Sequence, residues 1–548
     1  MNQSDYLKSV FAETLQKIGV PDGIESLKFE TPKNVEHGDM ATNIAMQLAK
    51  PMRQAPAAIA QKIIDNLEFD SNIIIDVNIA GAGFINVKFS NQFYIDALKN
   101  ITLAQTEYGK AEQGKGIKVN IEYVSANPTG LLHLGHGRNA AIGDTVANLY
   151  NWLGYDVTRE YYFNNAGNQM NNLALSIHAR YMQQLGNPDF ELPENAYHGE
   201  YIKTIAQEVI DKYGDKFKAA TKEDLEFLKV VGEKWNFAKI KETMDKMNVH
   251  QDVYFNEDSL YKDGKIKAVV AKFREQNLAY DKDGATWLKL SEMGQEQDKV
   301  IIKTSGEPTY RLPDIAYHAE KYERGFDIII DVFGSDHIAT IPDVMSGVQY
   351  LGYDKSKIKV LLYQFVTLTE NGEQVKMSKR TGKSYTLDEL LDEVGEDVVR
   401  FFLIMRNITT HLEFDLALAK EQSDKNPVFY LQYAHARICS VLDNARAKGT
   451  DYKDANLNLL QHEKEITLIK SILRFPDVIK LSADRFEPHT LCEYLKSIAS
   501  DFHNFYHDCR ILADDEELSK ARLYLSVITK YVMKNGLTIL GITAPEKM

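Results

Sequence analysis

"HLGHGRNAAIGD", residues His133 to Asp144, sits where the chain changes from one structural period to another. Upstream, "IKVNIEYV" (Ile117 to Val124) alternates and is rich in β-branched residues, which predicts a strand. Downstream, Asn139 to Leu153 carries helix formers with apolar positions at helical spacing, and Gly154 follows as a stop. The two histidines therefore stand at a strand-to-helix switch. In an open α/β sheet that is where ligands bind, and a helix N-terminus offers free N–H groups and partial positive charge to an anion.

Outward from this point β and α patterns alternate. A second strand is predicted over Asp156 to Phe163, with a helix after Gly167. From about Gly186 to Gln297 the pattern turns charged and lysine-rich and reads as an insertion. The rhythm resumes with Lys299 to Lys303, Phe326 to Val332 and Lys357 to Leu362, continuous apolar runs of the kind that buried parallel strands show. After about His411 no strand is predicted, and the remainder reads as a helical bundle. Before Gly114 to Gly116, which looks like a linker, a helix over Pro56 to Leu67 and a β run over Ile73 to Ile79 predict a compact α+β unit. The expected division is 1–113, 114–410 with an insertion at about 186–297, and 411–548.

Composition restricts the function classes. Of the 548 residues, 44% are hydrophobic and 26% charged, ordinary for a soluble multidomain protein. No apolar run approaches the roughly 20 residues that span a membrane, and the N-terminus lacks a signal peptide's basic start and apolar stretch. Three scattered cysteines (Cys439, Cys492, Cys509) fit a reducing cytoplasm and give no metal-ligand spacing, so no metal site is expected. The net charge of −14 argues against indiscriminate nucleic-acid coating, so any polyanion must be met by a local basic patch.

Two stretches carry chemistry. In "HLGH" the imidazoles of His133 and His136 can donate hydrogen bonds to phosphate or ring oxygens, while Gly135 leaves room for a base or sugar near the backbone. In "KMSKRTGKS" (Lys376 to Ser384), Lys376, Lys379, Arg380 and Lys383 lie in a stretch free of acids, suited to closing over phosphates. Alone, each has a plainer reading: a zinc pair or satisfied structural histidines for the first, a solvated loop for the second. HxGH after a first strand and KMSK after a last one is a combination that chance rarely supplies.

With these motifs the chain resembles a class I aminoacyl-tRNA synthetase, and over nearly its full length the arginyl-tRNA synthetase family. "IEYVSANPTGLLHLGHGRNAAIGD" (Ile121 to Asp144) is similar to the block containing that family's HIGH motif. "NPVFYLQYAHARICS" (Asn426 to Ser440) resembles the first helix of its DALR-like anticodon-binding domain, and "GDMATNIAMQLAK" (Gly38 to Lys50) its added N-terminal domain, which touches the tRNA elbow. HLGH stands for HIGH and KMSKR for KMSKS. The chain end, "GLTILGITAPEKM", matches as well. The implied fold is a Rossmann-like parallel-sheet catalytic domain between an α+β domain and a helical bundle.

The resemblance implies a two-step reaction in the cytoplasm: L-arginine and ATP, with Mg²⁺, give arginyl-adenylate and pyrophosphate, and the arginyl group then passes to tRNA(Arg). It implies a monomer that activates arginine only with tRNA bound. His133, His136, Lys376 and Lys379 become the catalytic residues, with Gly135, Met377 and Ser378 adding to the ATP site. Residues matching Glu122, Ser125, Asn127, His136, Tyr310 and Asp314 bind arginine, and Asp336 is a looser match. A planar, permanently charged guanidinium does ask for converging acids.

In the bundle, about 100° per residue puts Val428, Leu431, Ile438 and Leu442 on one apolar stripe and Tyr430, Tyr433 and Arg437 well off it. Such a face suits stacking on unpaired bases, and the family implies anticodon contacts for Tyr430 and Tyr433. Asn426 and Arg437 are taken with them, although Asn426 also reads as an N-cap before Pro427 at the first helical position. The later stripe Phe502, Phe505, Tyr506, Cys509, Leu512 reads as core. A nucleotidylyltransferase would share HxGH but would not need the bundle. A non-catalytic RNA-binding relative would have no need of intact motifs.

Overall fold

The computed structural model describes residues 3–30, 32, 37–375 and 385–548. Near the N-terminus, strands β1 (Met40–Thr42), β2 (Ile74–Ala80) and β3 (Phe84–Phe89) form an antiparallel sheet in the order β1-β3-β2. Helices Gln3–Lys17, Pro56–Asp65 and Asn91–Ala104 accompany it, with Leu7, Phe11 and Leu15 buried on the first. The Pro56 helix and the β2 strand fall where the sequence predicts them.

The central sheet is parallel throughout. Its strands β4 (Lys118–Glu122), β5 (Asp156–Phe163), β6 (Val253–Asn256), β10 (Ile328–Gly334) and β11 (Ile358–Tyr363) lie in the order β11-β10-β4-β5-β6. The chain runs outward from β4 through β5 to β6, then returns to the other side of β4 with β10 and β11. The switch point falls between β4 and β10, and the crevice at their carboxyl ends is the expected ligand site.

Three elements differ from the sequence reading. The edge strand β6 comes from inside the 186–297 stretch; its apolar run of "VYF" is too short to stand out among charges. Lys299–Ile302 is not a strand of the parallel sheet. It is β9 of a small antiparallel sheet with β7 (Ala279–Lys282) and β8 (Ala285–Leu288), whose two-residue Asp283–Gly284 turn makes a hairpin. Past His411 one strand remains: β14 (Leu412–Asp415) lies parallel to β12 (Val366–Glu370), which also pairs with β13 (Glu373–Gln374). Leu412 and Phe414 alternate into the core, and Phe414 packs on Phe402 with ring centroids 5.3 Å apart.

Five helices, Pro427–Ala447, Glu463–Leu473, Phe475–Arg485, Pro488–Asp508 and Glu516–Leu540, build the C-terminal bundle. It is bound to both other regions. Asp39 accepts an ion pair from Lys470 at 2.5 Å and the Phe89 N–H at 2.8 Å. No helix among the described residues is long and apolar enough to cross a membrane.

Arg400 fixes the junction between the sheet and the bundle. Fully buried, its guanidinium donates to Asp144 at 2.6 Å on the Leu134–Trp152 helix, to the Leu540 carbonyl at 3.0 and 3.1 Å, and to the Met247 carbonyl at 2.7 Å. Asn148, one turn on from Asp144, reaches the Ile539 carbonyl at 3.1 Å. Replacing Arg400 by Leu takes from the buried Asp144 carboxylate its 2.6 Å ion pair, leaving it Asn148 and the more distant Arg159, and takes donors from several carbonyls. We expect Arg400→Leu to destabilise the protein by about 3–5 kcal/mol, seen as a lower midpoint of urea unfolding; an unchanged midpoint would remove this residue from the junction.

Candidate functional site

The HLGH stretch lies inside the first turn of a helix that begins at Leu134, five residues before the periodicity predicts. His133 is its N-cap. His133 Nδ1 accepts the Gly135 N–H at 3.1 Å, His136 Nδ1 accepts the His133 N–H at 3.2 Å, and the rings stack with centroids 3.8 Å apart. This is a reciprocal cap made by two imidazoles. With each Nδ1 accepting from the backbone, a neutral ring carries its proton on Nε2 and presents an N–H donor to a ligand oxygen. Burial, then the neighbouring His133, push the His136 ring down to about 3, so it is neutral.

Gly135 has a task beside the one read in the sequence. A Cβ there would lie 3.0 Å from His133 Cε1, so the glycine makes room for the capping ring. At Gly137 a Cβ would meet Leu387 at 2.7 Å. Leu387 donates its N–H to the Leu132 carbonyl at 2.9 Å, and Thr386 bridges His133. Lys376, Met377, Ser378 and Lys379 lie outside the described residues. The residues that follow them, Thr386 and Leu387, are fastened to the HLGH turn.

The carboxyl ends of β4, β5 and β10 carry a buried charge network that helix Arg311–Glu323 completes. Glu122, Asp331 and Glu160 occupy matching register on neighbouring strands. Lys321, with no solvent exposure, donates to Glu122 and to Asp331 at 2.7 Å each. Arg324 grips both oxygens of Glu160 at 2.7 Å. Burial works against charge on all of these groups; Lys321 and His318 nevertheless hold the Asp331 carboxyl low, and Arg324 and Lys321 do so for Glu160. Glu122 is raised, by burial first.

Of the predicted arginine ligands, Ser125 donates to Glu122 at 3.0 Å and accepts the Tyr162 N–H at 3.1 Å, in a left-handed backbone conformation with φ of 45°. Asn127 accepts the Asn164 N–H at 3.0 Å and donates to Gln169, tying the loop after β4 to the loop after β5. Asp314 is half-buried on the same helical face as Lys321. Its carboxyl is pushed up to about 7, by burial first, with Glu122, Glu257 and Asp331 adding to the shift and His318 opposing it.

Glu257, which the sequence reading missed, is buried just beyond β6 and accepts from Tyr162 at 2.6 Å and from Tyr261 at 3.1 Å. Among the described residues neither Asp314 nor Glu257 is ion-paired with a lysine or arginine. The signal for Glu257 was the strand before it, concealed by the charged stretch.

Other predicted residues stand apart. Tyr310 is 80% exposed at the start of the Arg311–Glu323 helix and does not converge with the acids. Asp336 is exposed after β10, with only His337 at 3.9 Å, because the turn that follows Gly334 carries its side chain out to solvent. Asn426 is 2% exposed: its side chain caps the Pro427 helix and donates to the Ala419 and Glu421 carbonyls, leaving no atom for a nucleotide. Tyr433 is exposed, and Arg437 lies over its ring at 4.5 Å and over Tyr506 at 5.2 Å. Tyr506, read as core, is 41% exposed and joins this face, whereas Phe502, Phe505 and Cys509 are buried. Tyr430 completes the group beside His503, 5.1 Å between rings.

Comparison with known proteins gives three family models along the chain. Residues 5–89 match the arginyl-tRNA synthetase N-terminal domain, 97–413 the catalytic domain of class I tRNA synthetases (R), and 431–548 the DALR anticodon-binding domain. A Salinibacter ruber protein named arginine–tRNA ligase is 47% identical over 99% of this chain and 100% of that one; a Desulfotalea psychrophila protein of the same name is 47% identical, covering 95% and 94%. The fold of the Thermus thermophilus arginyl-tRNA synthetase superposes with a TM-score of 0.78 at 22% identity, covering 100% of both chains. With full-length relatives at this identity and all three domain models in order along it, the chain belongs to the arginyl-tRNA synthetase family of class I.

Proposed function

We propose that this chain joins L-arginine to tRNA(Arg) using ATP. The observation that carries the reading is the Asp314–Glu257 pair: two carboxylates close enough for Glu257 to raise Asp314, and neither ion-paired with a lysine or arginine among the described residues. A guanidinium supplies the missing charge as a planar fork, which a lysine's point charge does not. Glu122, held by Lys321 and Ser125, and Asn127 form the framework behind this pair, with His136 on the nucleotide side.

In the first step the arginine carboxylate attacks the α-phosphorus, and the bond to pyrophosphate breaks. Charge spreads over phosphate oxygens, so fixed donors aimed at them supply most of the acceleration. The Nε2–H groups of His133 and His136 are those donors, with Lys376, Met377, Ser378 and Lys379 closing on the leaving pyrophosphate. In the second step a hydroxyl of the 3′-terminal adenosine attacks the arginyl carbonyl, and AMP leaves.

Mg²⁺ accompanies ATP, held by phosphate oxygens and water; among the described residues no group of three His, Cys, Asp or Glu side chains could hold a metal ion. Residues 1–113 meet the tRNA elbow, 114–410 carry the chemistry and 411–548 read the anticodon through Tyr430, Tyr433 and Arg437, a division that the three matched family models support. A monomer in the cytoplasm is the setting; three free, buried cysteines support the reducing compartment.

Lys379→Ala should slow adenylate formation by two to three orders of magnitude, about 3–4 kcal/mol of lost charge stabilisation, with arginine binding near wild type. Pyrophosphate exchange at the parent rate would make the loop dispensable.

Asp314→Asn keeps the shape and removes the charge. Arginine KM should rise about a hundredfold, while ATP affinity holds. In the parent protein the same carboxyl sets a pH limit. Pushed up to about 7, it is protonated below that pH and cannot face a cation, so arginine KM should climb about tenfold per unit as pH falls and level off above 8. Asp314→Asn should flatten that dependence; a collapse of ATP affinity instead would move Asp314 to the nucleotide site.

Tyr433→Ala should weaken tRNA binding by about 1–3 kcal/mol in a protein of unchanged melting temperature. Retained tRNA affinity would leave the aromatic face without this role.

A further inference from the structure

His318 lies one turn beyond Asp314 on the same helix and is 3% exposed. Its Nδ1 is 2.7 Å from the Asp314 main-chain carbonyl oxygen, and its Nε2 is 2.9 Å from Asp331 Oδ2. A carbonyl and a carboxylate can only accept. A neutral imidazole has a single N–H, so it would set one nitrogen lone pair against an oxygen lone pair in a place water does not reach. Protonation at both nitrogens satisfies both contacts. Asp331 is available as the anion, since its other oxygen takes Lys321 at 2.7 Å.

The ring meets Asp331 on β10 and acts on Glu122 on β4 and Asp314 on its own helix, with Glu160 on β5 in the same network. Against them stand Lys321, which is committed to Glu122 and Asp331, and Arg324, which is committed to Glu160. Asp314 is left with three negative neighbours and one cation directly behind it, the ring of His318. Burial alone would discharge that ring; Asp331 more than offsets it and raises the imidazole above its ordinary value.

Resting on the arginine pocket assigned above, we infer that His318 is held as an imidazolium and serves as a positioning residue, keeping the Asp314 carboxyl ionised and aimed at the substrate guanidinium without touching substrate itself. The first measurement uses the whole protein labelled with ¹⁵N-histidine. Both ring nitrogens of His318, assigned by their loss in His318→Gln, should give imidazolium shifts through pH 8; one protonated and one bare nitrogen would overturn the inference.

The second measurement compares arginine KM across pH in His318→Gln, which keeps a neutral donor. Without the cation the acid limb should move up by about one unit, a tenfold higher KM at pH 6, and KM at pH 8.5 should stay within about threefold of the parent. ATP KM should not move. A role in packing alone would raise KM equally at every pH, and that outcome also overturns the inference. If His318→Gln fails to fold, single-histidine labelling of the parent decides. A parent protein that charges no arginine at any pH would sink the pocket assignment, whereas the nitrogen shifts test the ring independently of it.

Discussion

One ammonium group with no access to water holds the molecule's working end together. Lys321 reaches from helix Arg311–Glu323 to Glu122 on β4 and Asp331 on β10, the two strands that part at the topological switch. Each carboxylate would be intolerable in that position alone, and so would the lysine. Their mutual dependence fixes the register of the helix over the strand ends, and so fixes where Asp314, seven residues earlier on the same face, stands. Asn139 does a smaller version of this on the other side of the sheet, accepting the Val124 N–H at 2.6 Å and donating to the Val332 carbonyl at 2.8 Å. The crevice between β4 and β10 is thus pinned from both faces.

Much of this was legible in the sequence, and what was not has physical reasons. Period alone identified β4, by its alternation, and β5, and continuous apolar runs identified β10 and β11. It missed β6, whose four residues fall below what a run can signal, and with it Glu257. It started the HLGH helix five residues late, because histidine is not among the usual capping residues and two imidazoles closing a turn on each other leave no pattern of apolar residues. It assigned Lys299–Ile302 to the wrong sheet, since a hairpin strand and a parallel strand share composition and differ only in partner. Asn426 shows the opposite error: its cap role was readable, and its three hydrogen bonds within the protein exclude the contact suggested by its neighbours.

In the arginine pocket proposed above, selectivity would follow from where cations are withheld. Glu160 has Arg324, Glu122 and Asp331 share Lys321, and Asp144 has Arg400. These acids are spent inside the fold, and a substrate cannot win them without breaking a buried pair. Asp314 and Glu257 have tyrosine hydroxyls and a histidine around them but no lysine or arginine, so they keep an unmet demand for positive charge. Tyr162 and Tyr261 add a directional constraint, because their hydroxyls hold one Glu257 oxygen each, at 2.6 and 3.1 Å. Two carboxylates favour a planar fork over a point charge, which can satisfy the electrostatics but not both directions at once. Discrimination against lysine is then a matter of unpaired acceptors left by the wrong cation, and it needs no steric barrier.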